Sequence, residues 1–197
     1  MAAPASHGFN PLTEFEGRWT TALAELYLPV EGLPPAKYEC VDGNLILSPR
    51  ESYANSFAAM KLGYLTFDAA IKAQLRAVGA LNVMITEQRW IEPDFNVVRP
   101  GQDGIWIDAN EVVMTGEFVS PTSRTRDHID KPAICAAAGI PYYMTIEISS
   151  ADKTVRIKLW KLVGGRYRPL RVADAGERFE TDEPFPMSFD PVELLDL

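Results

Sequence analysis

The run Glu117-Phe118-Val119-Ser120-Pro121-Thr122-Ser123-Arg124-Thr125-Arg126-Asp127-His128-Ile129-Asp130-Lys131 decides the reading of this chain. Ahead of it, Val112–Val119 is a largely apolar stretch of strand length, stopped by Ser120-Pro121. Behind it, 129–138 reads as a short helix ended by Gly139 and Pro141. Pro132 belongs in the first turn of that helix, because an interior proline costs ~3 kcal/mol. Lys131 follows Asp127 by four residues, which places both on one helix face if the helix starts early enough.

Working outward, Glu92-Pro93-Asp94-Phe95-Asn96-Val97-Val98 opens another short strand with an acid at its mouth. Stretches 81–91 and 95–98 read as strands preceding 112–119, and 142–148 with 154–162 as a later hairpin. Phe57, Met60, Tyr64, Phe67, Ile71, Leu75 and Val78 recur at steps of 3, 4, 3, 4, 4 and 3. That period predicts a helix over 53–77 with Gly79 as its C-terminal cap. Further upstream, Tyr38–Val41 and Asn44–Leu47 flank Asp42-Gly43, the signature of a tight hairpin turn. Phe15, Trp19, Leu23, Leu26 and Tyr27 suit a short amphipathic segment ended by Pro29, Pro34 and Pro35. Residues 1–12 read as a flexible arm and 13–197 as a single domain.

The 197 residues are 47% hydrophobic and 23% charged, which excludes a disordered or fibrous chain. The longest apolar stretch, Ala133–Ile140, is far short of the ~20 residues of a membrane span, and the N-terminus lacks the pattern of a secretory signal. A cytoplasmic protein is expected. Cys40 and Cys135 sit in separate apolar contexts and suggest neither a disulfide nor a thiolate metal framework. His7 and His128 are too few for a multi-histidine zinc site.

Asp94 and Glu117 stand at the ends of neighbouring strands, where two carboxylates repel each other unless a cation relieves them. Hard oxygen ligands favour Mg²⁺ or Mn²⁺ over zinc. Such an ion polarises a phosphodiester and acidifies bound water. Lys131 is then placed to orient the water and to stabilise charge on the phosphoryl oxygens. Each residue has a plainer reading. Asp94 is then a strand start and Glu117 a solvated edge, while Asp127 with Lys131 forms an exposed pair worth ~0.3–0.5 kcal/mol. The conjunction favours the functional reading.

The 117–131 run resembles the signature E-x-x-S-P-[ST]-[ST]-x-x-x-D-x-x-x-K of the Uma-two family of restriction-type endonucleases, within the PD-(D/E)XK nuclease superfamily. The resemblance extends through Ala136-Ala137-Ala138-Gly139-Ile140-Pro141-Tyr142-Tyr143, and upstream through Tyr38-Glu39, Asp42-Gly43, Leu45, Leu47-Ser48-Pro49 and Pro93-Asp94. It implies an α/β restriction-endonuclease-like fold, a mixed central sheet flanked by helices, with an added N-terminal hairpin and a C-terminal β extension. It implies Mg²⁺ or Mn²⁺ ligation by Asp94, Glu117 and the backbone carbonyl of Phe118, with Glu39 as a further acid. The superfamily's usual lysine, two residues after the glutamate, is Val119 here, so its role passes to Lys131. The histidine that family members often carry early in the long helix has no counterpart in Ser52-Tyr53-Ala54-Asn55.

The expected function is metal-dependent hydrolysis of phosphodiesters, in DNA ahead of RNA, by an enzyme that acts as a homodimer if both strands are cut. The alternative is a diverged member serving as a binding or assembly module, or acting on a non-nucleic-acid ligand. A net charge of −8 opposes approach to phosphates. Lys153–Arg171, however, holds seven basic residues and no acidic one. A solvated hairpin face is the favoured reading of that run, with Trp160 and Tyr167 as candidate stacking groups. Ser120, Thr122, Arg124 and Arg126 adjoin the carboxylates and are candidate phosphate contacts, against the plainer reading of a Ser/Thr turn capping the helix.

Overall fold

The protein is described here by a computed structural model covering residues 9–120, 123–149 and 151–196. Thr122 and most of the expected arm lie outside the described residues. In chain order the elements begin with α1 (Pro11–Glu14), α2 (Thr21–Tyr27), β1 (Ala36–Val41), β2 (Asn44–Pro49) and α3 (Tyr53–Lys72). Next come the short strands β3 (Arg76–Val78), β4 (Asn82–Thr86), β5 (Arg89–Ile91), β6 (Phe95–Val98) and β7 (Trp106–Asp108). The rest are β8 (Val112–Val119), α4 (Lys131–Ala137), β9 (Tyr142–Ser149), β10 (Thr154–Val163), β11 (Arg166–Asp174), β12 (Phe179–Thr181) and β13 (Met187–Phe189). No helix among the described residues is long and apolar enough to cross a membrane.

The chain divides into two compact units, 1–50 with 85–91 and 51–84 with 92–197. In the first, β1 and β2 form the expected hairpin. Asp42 and Gly43 take φ of 52° and 79°, as a primed turn requires. A Cβ at Gly43 would also lie 2.5 Å from the carbonyl oxygen of Gly17, so no side chain fits there. Trp90 of β5 donates its indole N–H to Tyr38 O at 2.7 Å, tying the third strand to β1. Cys40 is a buried free thiol whose pKa burial pushes up to about 11.

The second unit is built on a six-stranded sheet in the order β11-β10-β9-β8-β6-β3. It is mixed: β8 and β9 run parallel, and the other neighbours antiparallel. α4 lies in the crossover between β8 and β9, the connection that parallel strands need. Every residue of β8 is buried, as expected of a strand covered on both faces. One face carries Met114, Phe118, Met144, Ile146, Ile157 and Leu159, packed in one cluster with Ala58, Leu62 and Ala70 of α3. The opposite face presents Thr115, Glu117, Tyr143 and Thr145 toward α4, where Cys135 Sγ lies 3.7 Å from Thr115 Oγ1. The carboxylate-bearing face is therefore the polar side of a two-sided sheet.

Two expectations for α3 need correction. The helix ends at Lys72, not near Ala77, because Arg76–Val78 pair with Val98–Asn96 as strand β3. Gln74, at φ 60°, makes the left-handed turn between them, and Gly79 is not the cap. Much of the bulky stripe faces outward. Met60, Tyr64 and Phe67 are 69%, 77% and 51% exposed, whereas Ala58, Leu62, Thr66 and Ala70 face the sheet. Small inward residues let the helix backbone lie close to strands that supply their own bulk. Thr66 satisfies its buried hydroxyl on Leu62 O at 2.7 Å. The single strand expected over 81–91 is two, β4 and β5, separated by a turn at Glu87-Gln88, and β7, β11, β12 and β13 are strands beyond those expected.

This orientation predicts opposite outcomes for neighbouring residues. Leu62→Ala should cost about 2–5 kcal/mol in urea denaturation, and Tyr64→Ser no more than about 0.5 kcal/mol. The reverse order would contradict the helix facing.

Candidate active site

Asp94 and Glu117 are brought together by the β6–β8 ladder. Phe95 pairs with Gly116, so the residues just before and after them lie opposite each other. A Cβ at Gly116 would sit 3.3 Å from Phe95 Cβ, so the glycine permits this close approach. Asn96 is fully buried and donates to Gly79 O at 3.1 Å and Pro93 O at 3.2 Å, which fixes the turn that aims Asp94. Asp94 Oδ2 accepts the Phe118 N–H at 2.8 Å, a charge-assisted bond worth roughly 1.5–3 kcal/mol. The acid thus docks on the residue that follows Glu117.

Lys131 reaches the same face from above. Its Nζ lies 2.8 Å from Glu117 Oε2 and 3.5 Å from Asp127 Oδ1, the latter across one helical turn. The backbone over Arg126–Asp130 is a π-helical segment running directly into α4. The helical path therefore starts before Lys131, which puts Asp127 and Lys131 on one side of it. Pro132 stands in the first turn of α4, as expected. Asp94, Glu117, Asp127 and Lys131 are all at least nine-tenths buried. The plainer readings of a solvated Glu117 and an exposed Asp127–Lys131 pair do not fit that burial. Tyr143 donates to Asp127 O at 2.9 Å. Its own pKa is driven well above the usual phenol value, first by burial and then by the neighbouring Glu117 carboxylate.

Among the described residues no three His, Cys, Asp or Glu side chains form a ready-made metal cluster. The β6–β8 register sets the carboxylates of Asp94 and Glu117 beside each other, with the peptide carbonyl of Phe118 in the next residue along, all hard oxygens. Mg²⁺ characteristically takes one or two carboxylates and keeps its remaining positions for water and substrate phosphate, so this donor set fits it. Asn55, near the start of α3, donates to Phe118 O at 3.4 Å and to Glu51 Oε2 at 2.9 Å. The carbonyl is therefore within side-chain reach. Asn55 stands in the segment noted above for lacking the family's histidine, but nothing in the sequence marked it as a site residue; the same is true of Asn96.

The other candidates are placed differently. Glu39 is a buried residue of β1 in the first unit. Ser120 and Ser123 bond each other, Oγ to Oγ at 2.9 Å and N–H to Oγ at 3.0 and 3.1 Å. That closed turn matches the structural reading of Ser120. Arg124 reaches Glu147 at 3.2 Å from an exposed position, and Arg126 is half-buried at the start of the π-helical segment. Three of the seven basic residues in the β10–β11 run pair with acids outside the run. Arg156 pairs with Asp174, Lys158 with Glu147 and Lys161 with Glu183. This favours the solvated hairpin face.

A mixed sheet carrying buried carboxylates and a lysine beneath a crossover helix defines an α/β protein with a charged cluster inside it. Residues 24–196 match the sequence pattern of the Uma2 family, described as "Putative restriction endonuclease", and the chain belongs to that family. Among solved structures it is similar to a protein of Anabaena variabilis described as a putative nuclease belonging to DUF820. The two share 16% identity with a TM-score of 0.58, over 80% of this chain and 88% of that one. The likeness supports the expected fold. No curated protein matches the chain.

The buried lysine should govern stability as well as chemistry. Lys131→Ala is expected to lower unfolding free energy by about 3–5 kcal/mol, because it leaves the acids buried without their cation. Lys131→Met combined with Glu117→Gln should recover much of that loss. A double variant no more stable than Lys131→Ala would show that the two side chains are not coupled.

Proposed function

We propose that the protein is a divalent-metal-dependent endonuclease of the PD-(D/E)XK type, hydrolysing phosphodiester bonds in DNA. The observation that carries this reading is the convergence on one sheet face of Asp94, Glu117 and Lys131, from strands and a helix far apart in sequence. Family membership supports it. Asp94, Glu117 and the Phe118 carbonyl would hold Mg²⁺ or Mn²⁺. When bound, that ion supplies Lewis-acid polarisation of the phosphate and acidifies a coordinated water.

The chain's own groups do the rest. Asp94 is held by the Phe118 N–H, and Glu117 by Lys131, so both carboxylates are fixed before substrate arrives. Lys131 carries three N–H donors on a compact charge. Its Nζ pairs with Glu117 at 2.8 Å and lies 3.5 Å from Asp127 Oδ1. Its charge offsets the negative charge that grows on the phosphoryl oxygens as water adds to phosphorus and the ester P–O bond breaks.

The test is nicking of supercoiled plasmid with Mg²⁺, Mn²⁺ or EDTA. The native protein should cut with either ion and not with EDTA. Asp94→Asn, Glu117→Gln and Lys131→Met, each confirmed folded by circular dichroism, should lose about 10²-fold or more. Undiminished cutting by any one of them would remove that residue from the mechanism.

A further inference from the structure

Next to the acid–lysine cluster lies a cavity of about 450 Å³ that the chemistry above does not use. Its size falls within the ~300–1,000 Å³ of ligand pockets. One wall is the small side of α4, Pro132, Ala133 and Ala136; the other is aromatic, Tyr143, Trp160 and Tyr167. The register explains the aromatic wall. Trp160 is the β10 partner of Tyr143, so both rings rise on the face that carries Glu117. Tyr143 and Tyr167 are pinned by hydrogen bonds to Asp127 O and Ile140 O, with ring centroids 5.6 Å apart. These rings cannot collapse into the space.

The cavity also has a specific polar point. Thr145 is 1% exposed and lines it, and its Oγ1 has no hydrogen-bond partner. A buried hydroxyl left so costs stability that a ligand would return. Thr145 is the parallel-strand partner of Glu117, and Asp127 belongs both to the cavity wall and to the Lys131 contact. Arg166, exposed on the β10–β11 turn, adds a cation at the same cavity.

From these features we propose that this cavity is a nucleobase pocket, taking an unpaired or extruded base of the strand whose phosphate meets the acid–lysine cluster. The inference rests on the nuclease reading for the identity of that strand. A flat heteroaromatic ring suits a slot with aromatic groups on one side and alanines on the other. A hydroxyl that both donates and accepts suits a base edge, and a rim arginine suits the adjoining phosphate. An aliphatic ligand would leave Thr145 unsatisfied and make no use of Arg166. The pocket would favour single-stranded, mismatched or damaged sites, where extrusion costs least.

The test uses a single-stranded 12-mer carrying one 2-aminopurine, with EDTA present so that binding is read without cleavage. Anisotropy reports affinity, 2-aminopurine fluorescence reports stacking, and free dAMP serves as competitor. The native protein should bind and change the 2-aminopurine signal. Trp160→Ala should weaken binding roughly five- to a hundredfold and abolish the change. The near-isosteric Thr145→Val should alter the preference among purines and pyrimidines at that position while remaining folded.

Binding by the native protein with no 2-aminopurine response, or variants matching it in both readouts, would overturn the pocket while leaving the plasmid assay to judge the nuclease. A response lost in Trp160→Ala without any plasmid cutting would uphold the pocket and defeat the nuclease reading. Binding of dAMP but not of the 12-mer, or of neither, would overturn the strand-borne base.

Discussion

The contact between Lys131 and Glu117, 2.8 Å long and almost wholly out of water, joins the crossover helix to the central strand β8. Burying two such charges costs several kcal/mol per ion, and an apolar pair of similar volume would stabilise a fold as well or better. Its energetics therefore argue for a chemical reason to keep the charges. The surrounding structure is arranged to hold them. Asp127 braces the lysine from one helical turn away, Tyr143 holds the carbonyl of Asp127, and Asp94 is anchored one residue beyond Glu117.

That cluster depends on the sheet having two different faces. The α3 face is filled by large apolar side chains, and the α4 face by Thr115, Glu117, Tyr143 and Thr145. Alternation along β8 and β9 separates the two sets. The same alternation puts Trp160 and the β10–β11 turn beside the cluster, so the cavity and the acid–lysine cluster share one wall. A chain of net charge −8 that pairs three of the seven basic residues of its own hairpin gains little from long-range attraction to phosphate. On the proposed nuclease reading, recognition rests on local geometry, a pocket and a fixed lysine, rather than on a broad positive face.

Much of this was legible in the residues themselves. The 117–131 run places strand, turn and helix in order, Pro132 marks the helix start, and Asp42-Gly43 fixes the first hairpin. The pairing of Asp94 with Glu117 follows from two strands closing on each other. What escaped has physical causes. The stripe in α3 has helical period but no sign of facing, because bulky residues can cover either a core or a surface. Alanines at 58 and 70 decide the matter only when the strands beneath are known. Asn55 and Asn96 are polar residues in elements set by others, and their roles lie in bonds to distant carbonyls that spacing cannot foretell. β11 hides in an arginine-rich run that reads as solvated, and its pairing with β10 is visible only once both strands are placed.

The central claim is that the donors gathered at the mouth of β6 and the end of β8 hold a divalent ion beside Lys131. It is tested most directly by crystals grown with Mn²⁺ and examined by anomalous diffraction at the manganese edge. The account predicts a peak coordinated by the carboxylates of Asp94 and Glu117 and by the carbonyl of Phe118, with Lys131 still beside it. Well-ordered side chains at these positions, with no peak among them at saturating Mn²⁺, would contradict it.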